Sequence, residues 1–355
     1  MPTISPRNRL IAAVSRLSQP VERIGRPDGP VVVSSRAREP YAAPMTSGYL
    51  VMALQGGLGN QLFQYAAGLG IARARGVELR FDPWGLPDDE RWLPDLVGDD
   101  YREATRGQLA RLGVLHTGRR GRDELVRTAG RRASAIARSL RGRSAPHQPP
   151  LHPLELVGVF DESLLRVDLP VYLEGYFQTG RWFTGVADHI ARRVRLPAVT
   201  PLRPTTAPDG APTVAVGFRR GDYVRLGWEL PLSYYEHALA RIVEQVPGAA
   251  FVVLGDDPVF TKFATDWVGS YGPAVSAYDR GADELVHLAL AAACDHAVIA
   301  NSSFAWWGAW FGDRRVEAEV QAEGRAAARV VLAPADYPAR FGKDVLSEAW
   351  VTVPS

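Results

Sequence analysis

Apolar residues follow two different periods in the stretch that begins near residue 49. Residues 49–54 are continuously apolar over the length of a strand, which is typical of a strand buried on both faces of a parallel sheet. Residues 61–75 carry apolar side chains at helical spacing and end at Gly76, and residues 77–81 again have the composition of a strand. This pattern predicts a strand, a helix and a second strand at the start of the ordered chain.

The same alternation continues through the rest of the chain. It is an α/β pattern, for which parallel, doubly wound sheets are the expected architecture. The predicted strands lie at 171–177, 213–218, 250–254, 297–300 and 329–332, and the predicted helices at 102–140, 181–194, 232–246, 259–267, 283–293 and 304–311.

A proline-rich segment separates two series of elements. Residues 197–212 contain five prolines and almost no apolar period, so they are the predicted interdomain linker. We therefore expect an N-terminal lobe at 48–205 and a C-terminal lobe at 206–355, each of Rossmann type, with a cleft between them. Residues 1–47 are rich in proline and lack a period, which indicates a disordered basic arm or a start assigned too early.

Charge is unevenly distributed, although the whole chain carries a formal charge of only +2. Residues 1–47 hold seven arginines against three acidic residues, and residues 102–143 hold twelve against three. The second run lacks interleaved aromatic residues, so a solvated helical face is expected there. Peripheral contact with anionic lipid stays open as the alternative for this run, and no nucleic-acid partner is expected.

Composition also limits the chemistry. Cys294 is the single cysteine, which excludes a disulfide framework and a cysteine-based zinc cluster. The longest apolar stretch, residues 285–300, is interrupted by polar residues and is shorter than the ~20 residues of a membrane-spanning helix. No membrane span is therefore expected.

The loop after the first predicted strand is rich in glycine. Gly57 and Gly59 would let a ligand approach the backbone and the start of the following helix. Asn60 and Gln61 carry amides that suit a sugar or a ribose, or that cap the helix. The loop is a candidate binding element, with a tight strand-to-helix turn as the simpler alternative.

The same loop partly matches a dinucleotide-binding fingerprint. Gly57 and Gly59 fit it, and Asp82 follows the second strand at a tolerable distance. Leu62 occupies the third glycine position, so the fingerprint is incomplete. A nicotinamide-dependent oxidoreductase stays open as a minor alternative.

Two adjacent arginines follow the strand predicted at 213–218. Guanidinium groups directly after a buried strand are costly unless they meet anions, and their paired donors suit phosphate. Arg219 and Arg220 are therefore candidate phosphate ligands, although Asp222 provides a structural partner for one of them.

Two further loops carry polar residues after predicted strands. Asp256 is a candidate ligand for a base such as guanine or for a metal, whereas Asp257 precedes a proline and suits a helix cap. Ser302 and Ser303, with the backbone N–H of Phe304, open a helix and suit a phosphate. The tryptophans that follow are expected to pack in the core.

The motifs occur in one fixed order that resembles the bacterial α-1,2-fucosyltransferases of glycosyltransferase family eleven. The resemblance extends from about residue 49 to the C-terminus. The segments that carry it are 56–66 (GGLGNQLFQYA), 172–178 (YLEGYFQ), 219–223 (RRGDY), 231–236 (PLSYYE), 256–257 (DD) and 300–310 (ANSSFAWWGAW).

This resemblance implies a GT-B-like fold and an enzyme. The implied reaction transfers L-fucose from GDP-β-L-fucose, with inversion, to the 2-hydroxyl of a galactose-type acceptor. The implied setting is surface-glycan synthesis in the cytoplasm or at the inner membrane face, on an oligosaccharide or a lipid-linked acceptor. The resemblance implies no cofactor and no obligatory metal.

The resemblance also implies roles for individual residues. Arg219 would bind the β-phosphate and stabilise departing GDP, while Arg220 and Asp222 would shape the loop. Asp256 would read guanine, and Asn60 would complete the donor site. The implied catalytic residues are thus Arg219, Asn60 and Asp222, and the implied substrate-binding residues are Gly57, Gly59, Asn60, Gln61, Arg219, Arg220, Asp256, Ser302, Ser303 and Phe304.

One position departs from the family pattern. The family has histidine two residues before the arginine pair, whereas this chain has Gly217. A non-catalytic relative that binds GDP or glycan is therefore an alternative. The general base is also open, with Asp222 and Glu229 as the acidic residues near the arginine loop.

Overall fold

The computed structural model describes residues 48–114, 116, 157–323 and 328–355. The predictions for residues 1–47 and for most of 102–143 lie outside the described residues.

The described chain forms two compact units. The N-terminal unit comprises residues 48–195 and 338–346, and the C-terminal unit comprises residues 196–337 and 347–355. The chain passes from the first unit to the second just before the proline-rich segment 197–212, which contains neither helix nor strand.

A three-stranded parallel sheet organises the N-terminal unit. Its elements are β1 (Tyr49–Ala53), α1 (Leu58–Arg75), β2 (Glu78–Asp82), α2 (Leu93–Val97), α3 (Arg106–Arg111), β3 (Val171–Leu173) and α4 (Ala187–Arg193). The strand order is β2-β1-β3, and all five residues of the central strand are buried. The continuous apolarity of residues 49–54 reflects this central position.

A six-stranded parallel sheet organises the C-terminal unit. Its elements are β4 (Thr213–Gly217), α5 (Gly221–Leu226), α6 (Leu232–Gln245), β5 (Ala250–Leu254), α7 (Pro258–Val268), β6 (Ala274–Ser276), α8 (Glu284–Ala293), β7 (His296–Val298), α9 (Ser303–Glu323), β8 (Val331–Pro334) and β9 (Val351–Val353). Helix α10 (Tyr337–Phe341) follows β8 and, apart from Tyr337, belongs to the N-terminal unit. The order β6-β5-β4-β7-β8-β9 is that of a doubly wound Rossmann sheet. The predicted α/β class with parallel sheets is confirmed in both units.

Two predicted helices differ from the structure. Residues 181–194 form two short 3₁₀ turns before α4, because Phe183 and Val186 adopt φ angles of −129° and −130°, outside the helical range. Helix α9 continues past the predicted end at 311 to Glu323. Its polar second half is supported by the ion pairs Arg314–Glu317 and Arg315–Glu319 at helical spacing.

The tryptophan cluster lies in the core as expected. Trp306, Trp307 and Trp310 are buried on α9, and the Trp306 ring lies 5.4 Å from that of Trp350. In the part of the chain that the structure describes, no helix is both long and apolar enough to cross a bilayer.

Candidate functional site

The polar loops of the C-terminal unit meet at one edge of its sheet. Strands β4 and β7 are hydrogen-bonded neighbours, so the loops that follow them leave the sheet side by side. The strand order reverses between these two strands, and ligands of such sheets bind beyond the carboxyl ends at this point. The loop after β5 lies on the other side of the β4 loop.

Two carboxylates hold Arg219. One of its terminal nitrogens lies 2.5 Å from Asp222 Oδ1, and the other lies 2.8 Å from Asp256 Oδ2. Asp256 also accepts a 2.8 Å hydrogen bond from the backbone N–H of Arg220 through Oδ1. A Cβ atom at Gly221 would lie 2.5 Å from Asp256 Oδ2, so glycine permits this close approach. Asp256 therefore fixes the conformation of the arginine loop.

Arg220, unlike Arg219, is buried and has no carboxylate partner among the described residues. Only 7% of its surface is exposed, and its guanidinium lies 4.3 Å above the ring of Phe260. Within the described part of the chain, no carboxylate pairs with it and its Nε has no hydrogen-bond partner. A buried guanidinium without an anion is costly, so this side chain is suited to an anionic ligand.

The contacts of the two arginines differ from the roles that the family resemblance implies. Arg219 was expected to bind phosphate and Arg220 to shape the loop, yet Arg219 carries the loop's ion pairs and Arg220 carries none among the described residues. The remaining N–H donors of Arg219 stay compatible with a phosphate contact, because a guanidinium has five.

Asn301 connects the loop after β7 to its neighbours. It is 5% exposed, and its amide donates a 2.9 Å hydrogen bond to the carbonyl of Trp228. The Tyr223 hydroxyl donates to the Asn301 carbonyl at 3.2 Å. The Oδ1 atom of Asn301 is buried and has no partner among the described residues. Next in the chain, the carbonyl of Ser302 accepts from Trp306 N–H at 2.9 Å, as helix α9 begins at Ser303.

Glu229 lies at the same edge of the sheet. It follows Trp228, whose N–H donates to the Tyr223 carbonyl at 2.9 Å and whose ring contacts the Tyr223 ring. The carboxylate is half-buried, and its Oε2 atom is inaccessible to solvent with no partner in the described chain. Arg220, Asn301 and Glu229 thus leave one donor atom and two acceptor atoms unpaired around the loops after β4 and β7.

Of the two carboxylates in the loop after β5, Asp257 has its predicted role as a helix cap. Asp257 caps α7, because its Oδ1 accepts a 2.9 Å hydrogen bond from Phe260 N–H. The Tyr278 hydroxyl donates to the Gly255 carbonyl at 3.2 Å. Burial, and then the charge of Asp256, raises the pKa of Tyr278 to about 12, so this hydroxyl stays protonated at neutral pH.

In the N-terminal unit, the glycine loop is tighter than predicted. Helix α1 begins at Leu58 rather than at residue 61, and the carbonyl of Gly57 accepts from Asn60 N–H at 3.0 Å. Gly56 has a φ of +74°, which favours glycine. A Cβ atom at Gly57 would meet no atom within 4 Å, so the backbone is open to a ligand there.

Gln61 has a structural environment. Its side chain is fully buried, donates to the carbonyls of Gly56 at 3.0 Å and Glu90 at 2.7 Å, and accepts from Trp92 N–H at 3.1 Å. The amide is thus used to hold the loop, and direct substrate contact by Gln61 has no support here. Asn60 is half-buried and accepts a 2.6 Å hydrogen bond from Gln178.

A cavity of about 200 Å³ lies at the carboxyl ends of β1, β2 and β3. Asp82 forms part of its wall and accepts hydrogen bonds from the Tyr172 hydroxyl at 2.7 Å, from His116 at 3.0 Å and from Trp84 N–H at 3.2 Å. The cavity is lined by Ala53, Leu54, Gln55, Asp82, Gly85, Tyr172 and Glu174.

Two alternatives from the sequence, a nicotinamide-dependent enzyme and a metal site, can be compared with the structure. Asp82 is 4% exposed and already accepts from three groups, which argues against the ribose contact that a nicotinamide enzyme requires. Over the described residues, no cluster of three or more potential ligands of the His, Cys, Asp and Glu types could hold a metal ion.

Comparison with known proteins identifies the class. The model of glycosyl transferase family 11 matches residues 159–316. The O-antigen biosynthesis glycosyltransferase WbnK of Escherichia coli is 24% identical over 284 residues, which are 72% of this chain and 88% of that protein. An α-1,2-colitosyltransferase of Escherichia coli is 26% identical over 277 residues, 74% of this chain and 87% of that protein. The resemblance to family eleven is thus confirmed over residues 159–316, and the two relatives support a glycosyltransferase.

Solved structures also align with the chain. POFUT1 in complex with GDP-fucose aligns with a TM-score of 0.42 and 14% identity over 81% of this chain and 99% of that one. The fucosyltransferase NodZ from Bradyrhizobium aligns with a TM-score of 0.35 and 12% identity over 74% and 93%.

Proposed function

We propose that the protein transfers L-fucose from GDP-β-L-fucose, with inversion, to the 2-hydroxyl of a galactose-type acceptor during surface-glycan synthesis. The observation that carries this proposal is the arginine loop beside the Asn301-Ser302-Ser303 loop, at the point where the Rossmann strand order reverses. Cationic side chains and a helix start at this edge suit the diphosphate of a nucleotide sugar.

The arginine loop would act on the leaving group. As the bond between the sugar and GDP breaks, negative charge grows on the β-phosphate, and a preorganised cation lowers the energy of that state. Arg219 is oriented by Asp222 and Asp256, whereas Arg220 contributes a charge without a counterion among the described residues. Ser302, Ser303 and the N–H of Phe304 would bind the diphosphate at the start of α9.

The acceptor would use the cavity of the N-terminal unit. Its volume of about 200 Å³ is below the ~300 Å³ at which pockets for drug-sized ligands begin, so one sugar ring is the appropriate size. Gln55 and Glu174 supply polar groups that can bind sugar hydroxyls, while Asp82 and Tyr172 are hydrogen-bonded to each other in the wall. The α-1,2 linkage is supported by the name of the colitosyltransferase relative.

GDP release tests this function. The purified protein with GDP-fucose should release GDP at a rate that rises with lactose concentration, and an incubation without lactose is the control. A parallel incubation with a colitosyl donor tests the sugar in the relative's name. A folded protein that binds GDP but shows no acceptor-dependent release with any β-galactoside would contradict the proposal.

Gly217 favours one alternative, a relative that binds GDP without transfer. A Cβ atom at this position would lie 3.6 Å from Ala305 Cβ, an ordinary contact, and the Gly217 carbonyl accepts from the Tyr235 hydroxyl at 3.1 Å. The position thus accommodates a Cβ atom. Tight GDP binding without turnover, with activity gained in Gly217→His, would establish this alternative.

A further inference from the structure

We infer that Glu229 is the base that accepts the proton of the acceptor hydroxyl; this inference rests on the proposed transfer reaction. An inverting transfer requires a group that removes this proton as the hydroxyl oxygen attacks the sugar. The sequence left two candidates near the arginine loop, Asp222 and Glu229. Their surroundings in the structure differ in a way that separates them.

Asp222 already has a partner. Its Oδ1 lies 2.5 Å from Arg219, and protonation of this carboxylate would remove half of the pairing that orients the guanidinium. Asp256 is likewise committed to Arg219 and to the N–H of Arg220, and Asp257 caps α7. These three carboxylates stabilise the loops and are poorly placed to take up a proton during turnover.

Glu229 has no such commitment. Among the described residues its carboxylate forms neither an ion pair nor a hydrogen bond, although its Oε2 atom is buried. An unpaired buried carboxylate oxygen is costly, so such atoms are rare unless a ligand or a reaction uses them. Glu229 therefore offers a carboxylate with an unfilled hydrogen-bonding position.

The position of Glu229 is fixed by both loops of the candidate donor site. Trp228, the preceding residue, bonds through its N–H to the Tyr223 carbonyl and through its carbonyl to the Asn301 amide. Tyr223 follows the arginine pair, and its ring lies 5.0 Å from the Arg219 guanidinium carbon. The base and the cation that serves the leaving group thus belong to one connected set of contacts in the C-terminal unit.

In the proposed step, one bond forms at C1 of the fucosyl group, one bond breaks, and one proton is transferred. The acceptor oxygen forms a bond to C1 of the fucosyl group, while the bond from C1 to the β-phosphate oxygen breaks and its electron pair leaves with GDP. The acceptor proton passes to the Glu229 carboxylate, which becomes a carboxylic acid. Release of this proton to water restores the carboxylate for the next turnover.

Glu229→Gln tests the inference, with Glu244→Gln on the exposed face of α6 as the matched control. We expect kcat for transfer to lactose to fall by about 100-fold or more in Glu229→Gln, with the Kd for GDP within twofold of wild type. Glu244→Gln should leave both values unchanged. A fall in kcat of less than tenfold, or a proportional loss of GDP affinity, would overturn the inference.

A reaction with azide distinguishes removal of the acceptor proton by Glu229 from a structural role of Glu229 in the site. Azide ion is a nucleophile with no proton to lose, so its fucosylation does not require a base. The ratio of azide-dependent to lactose-dependent GDP release should rise by at least tenfold in Glu229→Gln, and an unchanged ratio would assign Glu229 a structural role. If wild type fails with every acceptor, the proposed function itself fails, which is a different result from a fully active Glu229→Gln.

Discussion

At the scale of single residues, Arg220 is a buried charge that lacks a counterion among the described residues. Its guanidinium is held over the Phe260 ring without a counterion among the described residues, so the folded protein bears a desolvation cost that an anionic ligand would relieve. Arg219 is balanced by Asp222 and Asp256 and has no comparable cost.

We predict that Arg220→Met weakens GDP binding by at least tenfold. The basis is a charged hydrogen bond worth about 1.5–3 kcal/mol, whereas the methionine side chain retains packing on Phe260. Stability should be unchanged or higher, because a buried unpaired charge is removed. Titration calorimetry and thermal denaturation measure the two effects, with exposed Arg225→Ala as the control. Lower stability with unchanged GDP affinity would show a structural role for Arg220.

The contrast between the arginines could not be predicted from the sequence. It depends on Asp256, which lies 36 residues from Arg220 in the chain and reaches the arginine loop only because β4 and β5 are adjacent. The local motif places two guanidiniums after a strand, but the pairing of each is decided by tertiary contacts.

Gln61 gives a second residue-scale prediction. Replacing it with leucine would leave the carbonyls of Gly56 and Glu90 and the N–H of Trp92 without their present partner. We expect the free energy of unfolding to fall by about 1–3 kcal/mol, measured by urea denaturation, because buried polar groups lose hydrogen bonds. Unchanged stability with a raised KM for a substrate would instead support the substrate-binding role implied by the family resemblance.

At the scale of elements, patterns of apolarity predicted the central strands best. Strand β5 is found at its predicted bounds, Ala250–Leu254, because its run is buried on both faces and is followed by Gly255. Strands β6 and β9 were missed because each has three residues and is an edge strand, too short for a period to appear. The start of α1 was misplaced because glycine has a low helix propensity, yet the Gly57 carbonyl already accepts from the N–H groups of Asn60 and Gln61.

Helix α7 provides an element-scale prediction. Asp257→Ala removes the cap on Phe260 N–H, and the cost should be about 1 kcal/mol of stability, with GDP affinity within twofold of wild type. Asp256→Asn, the neighbouring variant, should weaken GDP binding because it disturbs the arginine loop. Denaturation and calorimetry on both variants check this separation. Equal effects of the two substitutions on GDP binding would contradict the division of roles between Asp256 and Asp257.

At the scale of the whole molecule, two parallel sheets present polar groups at their carboxyl ends. The C-terminal sheet carries the cationic loops, and the N-terminal sheet carries a small polar cavity. The match to family eleven, over residues 159–316, includes parts of both units. The alternation of strands and helices predicted both sheets, while the cavity walls depend on packing that no local motif encodes.

The product formed from GDP-fucose and lactose tests the central claim most directly. Two-dimensional NMR of the purified trisaccharide should show an α-configured fucosyl group with its C1 joined to O2 of galactose, since attack by that hydroxyl inverts the β-configured donor. A β-configured product, a linkage to another hydroxyl, or no trisaccharide from a folded, GDP-binding protein would contradict the account.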